Sequence, residues 1–415
     1  MFLRNLLFIF LILQPFVDKL SKKAGAEINI FNEMLSIAVL IGLVVIYAYR
    51  KRANNLILVV LAFIFYCSFL VIWRQIFPLG FFQIIIYSQF FFYFLYFHSL
   101  SEEVKHKTLI SFKRIMSVFV IVIACLAFFE AYDHTTFRNF LGVHSVKRGI
   151  NYFYLISFFG SGPSLSIFLF IYILIWHYIH YALKVTIKKL DIAMVVLAAI
   201  LAILTFSRKE VLFIFLFLIF FPYPTRNQLN KWIKRGVFFF AVFLGLSVYY
   251  ITFFGVANST ALNPDYVRWK IVSKSFEIYA DHFPFGSGPG TFGSRTSLMI
   301  DHIYQRYNVG QDLLGWEAIN SRGPIYDAFL FSFITEIGIG IFIFLFFIYK
   351  LFEGKTILNS EYSRFTKNFL LFFTISLSFF VPMFTNNFGF IIMAFLGLMI
   401  SSVSVFKFRR WYAKA

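Results

Sequence analysis

Four polar residues, Ser207-Arg208-Lys209-Glu210, stand between two apolar runs with no room for a free loop, and a long polar segment, Gly255 to Arg322, comes after them. Charge kept in so apolar a setting is costly unless it acts on something, so the chemistry is expected at these two places. The long segment carries Arg268, Lys270, Lys274, Arg295, Arg306 and Arg322 beside Asp265, Glu277, Asp281, His282, Asp301, His302, Asp312 and Glu317. A guanidinium grips two phosphate oxygens at once, so the preference for arginine over lysine points to an anionic ligand such as a pyrophosphate. A further polar stretch, Asp133 to Tyr154, adds Arg138, Lys147 and Arg148. The competing account of each charge is a solvated loop residue or surface ion pair, and for Arg208 a side chain snorkelling to the interface.

The elements that must position these residues are membrane helices. Of the residues, 60% are hydrophobic and 14% charged. A helix needs about 17–25 apolar residues to cross the hydrocarbon, and about twelve such runs can be counted. They cover residues 3–17, 34–49, 56–73, 80–98, 115–131, 155–181, 190–206, 211–222, 236–254, 326–349, 368–384 and 388–406. Lys19, Lys22 and Lys23 argue that the first is a retained span and not a cleaved signal peptide. The expected fold is all-α and polytopic. Helices one to nine fill residues 1–254, a large extracytoplasmic loop covers 255–325, and three further helices with a cytoplasmic tail complete 326–415.

With both termini in the cytoplasm, the inner loops collect Arg50-Lys51-Arg52, Lys105, Lys107, Lys113-Arg114, Lys188-Lys189, Lys234-Arg235 and the tail Lys407, Arg409-Arg410 and Lys414. Most of the net charge of +19 then lies inside, as insertion requires, and nucleic acid is not needed to explain it. Cys67 and Cys125 both fall in apolar runs and read as small hydrophobes, with no disulfide or metal site.

Within the long segment, Phe283-Pro284-Phe285-Gly286-Ser287-Gly288-Pro289-Gly290-Thr291-Phe292 lacks the Gly-Lys-Ser/Thr of a nucleotide loop and reads as a tight turn bringing backbone close to a ligand or another helix. Zinc-protease, Asp-x-Asp and serine-hydrolase motifs are missing from the sequence.

In this order the features resemble the O-antigen polymerase and O-antigen ligase superfamily of polytopic inner-membrane glycosyltransferases. The resemblance rests on Thr205-Phe206-Ser207-Arg208 closing a span and Arg268-Trp269-Lys270 opening an amphipathic segment, then on the glycine-rich turn Pro284 to Phe292. Tyr326-Asp327-Ala328-Phe329-Leu330 and Glu336-Ile337-Gly338 follow, leading into a span. It covers roughly residues 195 to 345; outside them only the topology matches. Ligases of the superfamily carry His-Asn where this chain has Tyr326-Asp327, which favours the polymerase branch.

The resemblance implies a GT-C-like membrane fold in the bacterial inner membrane, and a transfer between two lipid-linked oligosaccharides at its outer face. The donor glycan would leave polyprenyl pyrophosphate for a sugar hydroxyl of the acceptor, without nucleotide, metal or other cofactor. Arg208, with one or more of Arg268, Arg295, Arg306 and Arg322, would stabilise the departing pyrophosphate, with Arg148 and Tyr326 as further substrate contacts. The attacking hydroxyl needs a base, and Asp301, His302, His282 and Asp327 are the unranked candidates. Implied partners are the lipid-linked donor and acceptor, membrane lipids and a chain-length regulator. A ligase is the first alternative and a lipid-oligosaccharide transporter the second, with Pro78, Pro163 and Asn386-Asn387 as its helix breaks.

Overall fold

A computed structural model of the chain describes residues 1–23, 31–50, 56–141, 154–222, 267–294, 296–297, 299, 302–309, 329–358, 360–379 and 381–401. Apart from one isolated bridge between Thr356 and Ile400, all regular structure among them is helical. The helices are α1 (Phe2–Lys23), α2 (Phe31–Arg50), α3 (Leu56–Trp73), α4 (Leu79–His98), α5 (Glu102–Tyr132), α6 (His134–Phe140), α7 (Gly162–His177) and α8 (Lys189–Leu204). They continue as α9 (Arg208–Phe220), α10 (Val267–Asp281), α11 (His302–Arg306), α12 (Phe329–Ile337), α13 (Ile341–Glu353), α14 (Glu361–Ser378) and α15 (Asn387–Met399).

Five stretches are long and apolar enough to cross a membrane: Leu56–Trp73, Leu79–His98, Glu102–Tyr132, Gly162–Ala182 and Phe329–Glu353. Shorter apolar helices cover Asn32–Ala48 and Asn387–Met399. The run expected at 236–254 and much of the long polar segment lie outside the described residues.

The chain divides into two compact units. One comprises Met1–Asn32, Glu103–Ser259 and Leu358–Leu370, the other Glu33–Glu102, Thr260–Ile357 and Leu371–Ala415. In the first, α7 is apolar all round and nearly every residue of it is buried, with α8 and α9 packed against it. A single π turn, Tyr178–Ala182, continues α7. Beside it, Lys113 of α5 donates to Asp191 of α8 and lies 3.0 Å from His180 Nε2. Lys113, which the sequence assigns to an inner loop, is thus paired with Asp191, and both are largely buried.

In the second unit, α3 shows how an apolar helix is divided between protein and lipid. Leu56, Val60, Phe63, Cys67 and Leu70 recur every three to four residues and are buried. Leu58, Leu61, Phe65, Phe69 and Ile72 on its other side are exposed. A soluble protein does not leave such a face in water, whereas hydrocarbon leaves it satisfied. Packing then comes from shape and ring contacts, because lipid is as apolar as the side chains. Phe90 and Phe91 of α4 meet Phe347 of α13 at centroid distances of 6.1 and 4.7 Å, and Tyr93 stacks on Phe390 of α15 at 5.0 Å.

Candidate functional site

The glycine-rich stretch and the Glu-x-Gly stretch, fifty residues apart in sequence, form one object in the second unit. Glu336, on the last turn of α12, is fully buried and its carboxylate is enclosed by donors. Oε2 accepts from Gly290 N–H at 2.9 Å and from the Tyr87 hydroxyl at 2.5 Å, and Oε1 accepts from Phe292 N–H at 2.7 Å. A carboxylate that gathers two amides of the loop and a phenol of α4 fixes the loop as a capping residue fixes a helix start.

Backbone contacts continue the junction. Ser287 N–H donates to Thr335 O and Gly288 N–H to Glu336 O, each at 2.9 Å, while Ile339 N–H donates back to Pro284 O at 2.9 Å. The chains approach so closely that a Cβ on Gly338, whose φ is +52°, would lie 2.3 Å from the Pro284 carbonyl oxygen. One on Gly286 would lie 2.6 Å from Glu336 O. The glycines therefore serve close packing of loop on helix.

Side chains from α3 and α10 clamp the outside. The Tyr66 hydroxyl donates to Ile337 O at 2.8 Å, and Arg74, just past α3, donates from its Nη2 to Gly286 O at 2.8 Å. Thr335 Oγ1 donates to Ser275 O of α10 at 3.0 Å. Ile271 and Ile278 of α10 form a small core with Phe292, Ile303, Tyr304, Tyr307 and Val309. The Tyr304 hydroxyl accepts from Gly293 N–H at 3.0 Å and meets Ser297 Oγ at 3.0 Å; burial pushes this phenol above its usual range.

At the rim, polar groups are less complete in their partners. His282 is half-buried, and its Nε2 has no hydrogen-bond partner among the described residues; the same holds for Arg74 Nε. Burial, with the charges of Arg74 and Arg306, holds the imidazole below its ordinary pKa. The exposed Arg306 guanidinium lies 3.9 Å from Asp281, which accepts from the Tyr307 hydroxyl at 2.7 Å. Burial and the Asp281 carboxylate together push that phenol to about 12.

In the first unit, Thr205-Phe206-Ser207-Arg208 is the turn joining α8 to α9. Thr205 Oγ1 donates to Ala202 O at 2.7 Å and accepts from Ser207 N–H at 3.2 Å. Phe206, at φ +50°, reverses the chain, and Ser207 and Arg208 occupy the cap and first position of α9. The Asp133–Tyr154 stretch is anchored similarly. Glu130 Oε2 accepts from Ser157 N–H at 2.8 Å, and buried Arg138 lies 3.5 Å from Glu130 and donates to Tyr154 O at 2.6 Å.

Of the expected site residues, the structure brings His282 and Arg306 to one rim, and His302 is exposed on α11 close enough to add its charge to the setting of His282. Arg208 and Arg268 are placed by backbone at the starts of α9 and α10, and their side chains are outside the described part of the structure. Asp301, Asp327, Arg148, Arg295, Arg322 and Tyr326 lie outside the described residues. Sequence reasoning missed Arg74, Tyr66, Tyr87 and Gln83, and took Glu336 as a motif letter without a role. A signal existed for two of them: Gln83 and Tyr87 are polar positions four apart inside an apolar run, which lipid does not tolerate without partners. Gln83 accepts from Thr296 Oγ1 at 3.1 Å.

Among the described residues, no three His, Cys, Asp or Glu side chains gather as a metal site would need. Comparison of the chain with family models, with curated proteins and with solved structures finds no match.

Proposed function

We propose that this chain is a membrane glycosyltransferase that joins polyprenyl-pyrophosphate-linked oligosaccharides, of the polymerase type, at the outer face of a bacterial inner membrane. The reading includes about twelve spans with both termini in the cytoplasm, as the apolar runs and the basic loops suggest. The single observation that carries it is the capture of Glu336 by the amides of Gly290 and Phe292. Two stretches that support the family resemblance are thereby one built platform, with a histidine and two arginines on its rim.

The chemistry asked of the platform is limited. The acceptor hydroxyl attacks the anomeric carbon, the bond from that carbon to the pyrophosphate oxygen breaks, and the hydroxyl proton passes to a base. His282, neutral and with Nε2 unpartnered among the described residues, suits the base. The arginines of the polar segment and Arg208 are proposed contacts to the leaving pyrophosphate. Tyr326-Asp327 in place of His-Asn favours polymerase over ligase.

Deleting the gene and resolving the cell-surface polysaccharide by size is the test. Loss of the ladder with one repeat unit left on the acceptor supports the polymerase. Loss of all glycan from that acceptor makes the protein a ligase, and an unchanged profile refutes glycosyl transfer.

A further inference from the structure

Buried polar atoms without partners mark places where something has been left for a ligand or water to complete. Among the described residues, two of them lie at one edge of the glycine-rich loop in the second unit, Arg74 Nε and His282 Nε2. Both residues are tied to the same residue, Gly286: Arg74 Nη2 donates to Gly286 O at 2.8 Å, and Gly286 N–H donates to His282 O at 3.0 Å. Arg74 is further held by its guanidinium over the Trp73 ring, 4.9 Å from the centroid, and by packing of its stem where Gly288 leaves no side chain. A guanidinium fixed on two sides, with its inner nitrogen without a partner among the described residues, is pre-organised for an oxyanion.

Charge at the rim points the same way. Among the described residues, the carboxylate acting on His282 beside Arg74 and Arg306 is that of Asp281, which the Tyr307 hydroxyl already engages. Among the described residues, Arg74 at the end of α3, Asp281 of α10 and Arg306 and His302 of α11 are the charged and titratable groups acting on His282. A neutral imidazole adds one donor to an anion, whereas a protonated one adds a donor and a charge.

We propose that Arg74, His282 and Arg306 form an oxyanion-binding mouth on the rim of the glycine-rich loop, that its ligand is a phosphate or pyrophosphate group, and that protonation of His282 tightens it. Arg74, partly buried, supplies the rigid contact and Arg306 the exposed, adjustable one. The inference rests on the transferase reading for the lipid that would carry the phosphate, and on nothing else in it.

The test uses the purified full chain in nanodiscs of phosphatidylcholine. Inorganic pyrophosphate is titrated calorimetrically at pH 8 and pH 6, and capture of phosphatidylcholine vesicles with and without polyprenyl phosphate is measured in parallel. Saturable binding that tightens several-fold on acidification is expected. Preference for the vesicles containing polyprenyl phosphate identifies a lipid headgroup, and equal response to free pyrophosphate identifies a soluble anion; both support the mouth. Arg74→Lys keeps the charge and loses the fork, and should weaken binding about tenfold. His282→Gln should leave a folded protein, because Nε2 gives up no hydrogen bond among the described residues, and should remove the tightening on acidification. No binding in either form at pH 6, or undiminished pH dependence in His282→Gln, overturns the proposal. Pyrophosphate binding in a protein that elongates no lipid-linked glycan leaves the mouth standing and sinks the transferase; elongation indifferent to Arg74 and His282 does the reverse.

Discussion

Replacing Glu336 with Ala should do more damage than any substitution in the arginine set, and the cost can be counted from its partners. The carboxylate holds Gly290 N–H, Phe292 N–H and the Tyr87 hydroxyl, and the residue is fully buried. Alanine leaves three donors without an acceptor, at about 1–3 kcal/mol for each buried group left unpaired. The total, about 3–9 kcal/mol, rivals the roughly 5–15 kcal/mol that holds a typical folded domain together. Glutamine is informative because it separates shape from charge. Its amide nitrogen must face either the Phe292 N–H or the pair formed by Gly290 N–H and Tyr87, so in either orientation one backbone donor meets another. One such conflict costs about 1.5–3 kcal/mol, and Tyr87→Phe, which removes one donor from the carboxylate, should fall in the same range. Thermal unfolding of the purified protein by intrinsic fluorescence should rank wild type above Tyr87→Phe and Glu336→Gln, and those above Glu336→Ala. The spacing should be on the order of 1–2 °C per kcal/mol for a long chain. An alanine variant that melts with the wild type would mean that the carboxylate does not fix the loop, and the platform argument would fall with it.

Gly338→Ala should destabilise by more than about 3 kcal/mol, since the new methyl meets the Pro284 carbonyl oxygen at a positive φ. Gly42→Ala, where the neighbour is the movable Tyr96 ring, should be milder, and urea titration of both compares them. Arg208→Ala should lower glycan elongation by on the order of 10²-fold at matched expression, with Lys a poor rescue; normal chains from the alanine variant return the residue to a structural role. Because the folded protein holds His282 below its ordinary value, the unfolded chain binds the extra proton between that depressed value and about 6.5. Stability should therefore rise with pH through this window and be complete above it, and His282→Gln should flatten that part of the profile. Reporter fusions should place Lys231 and Lys355 in the cytoplasm and Asn263 and Gln311 outside; a cytoplasmic signal at Gln311 would invert the proposed topology.

Five of the expected runs were legible as helices long and apolar enough to cross a membrane, because lipid imposes length and apolarity on each segment separately. Residues 56–73 are read from the sequence with the ends the structure gives, and the α4 run starts one residue earlier than expected. Polar ends were less legible: α5 begins at Glu102, since Glu103 and Lys107 continue the helix beyond its apolar part. At the candidate site, His282 and Arg306 were found by residue type. Arg74 was not, since one cation at the end of a span looks like an anchor until the Gly286 carbonyl is seen to meet it. The role of Glu336, read only as part of a motif, was not legible because a carboxylate on a helix is recognised by what it faces, and Gly290 and Phe292 are distant in sequence.

The interlock of loop and helix also bears on how this region moves. The amides of Ser287, Gly288, Gly290 and Phe292 are spent on α12, and that of Ile339 is spent on the loop. None of these protons can reach solvent by a private fluctuation, because the helix end and the loop must part together to expose any of them. In deuterated buffer they should exchange as a group, with one opening free energy, while the exposed face of α11 exchanges ahead of them. The glycines, the usual mark of a supple segment, should here open more slowly than the exposed face of α11.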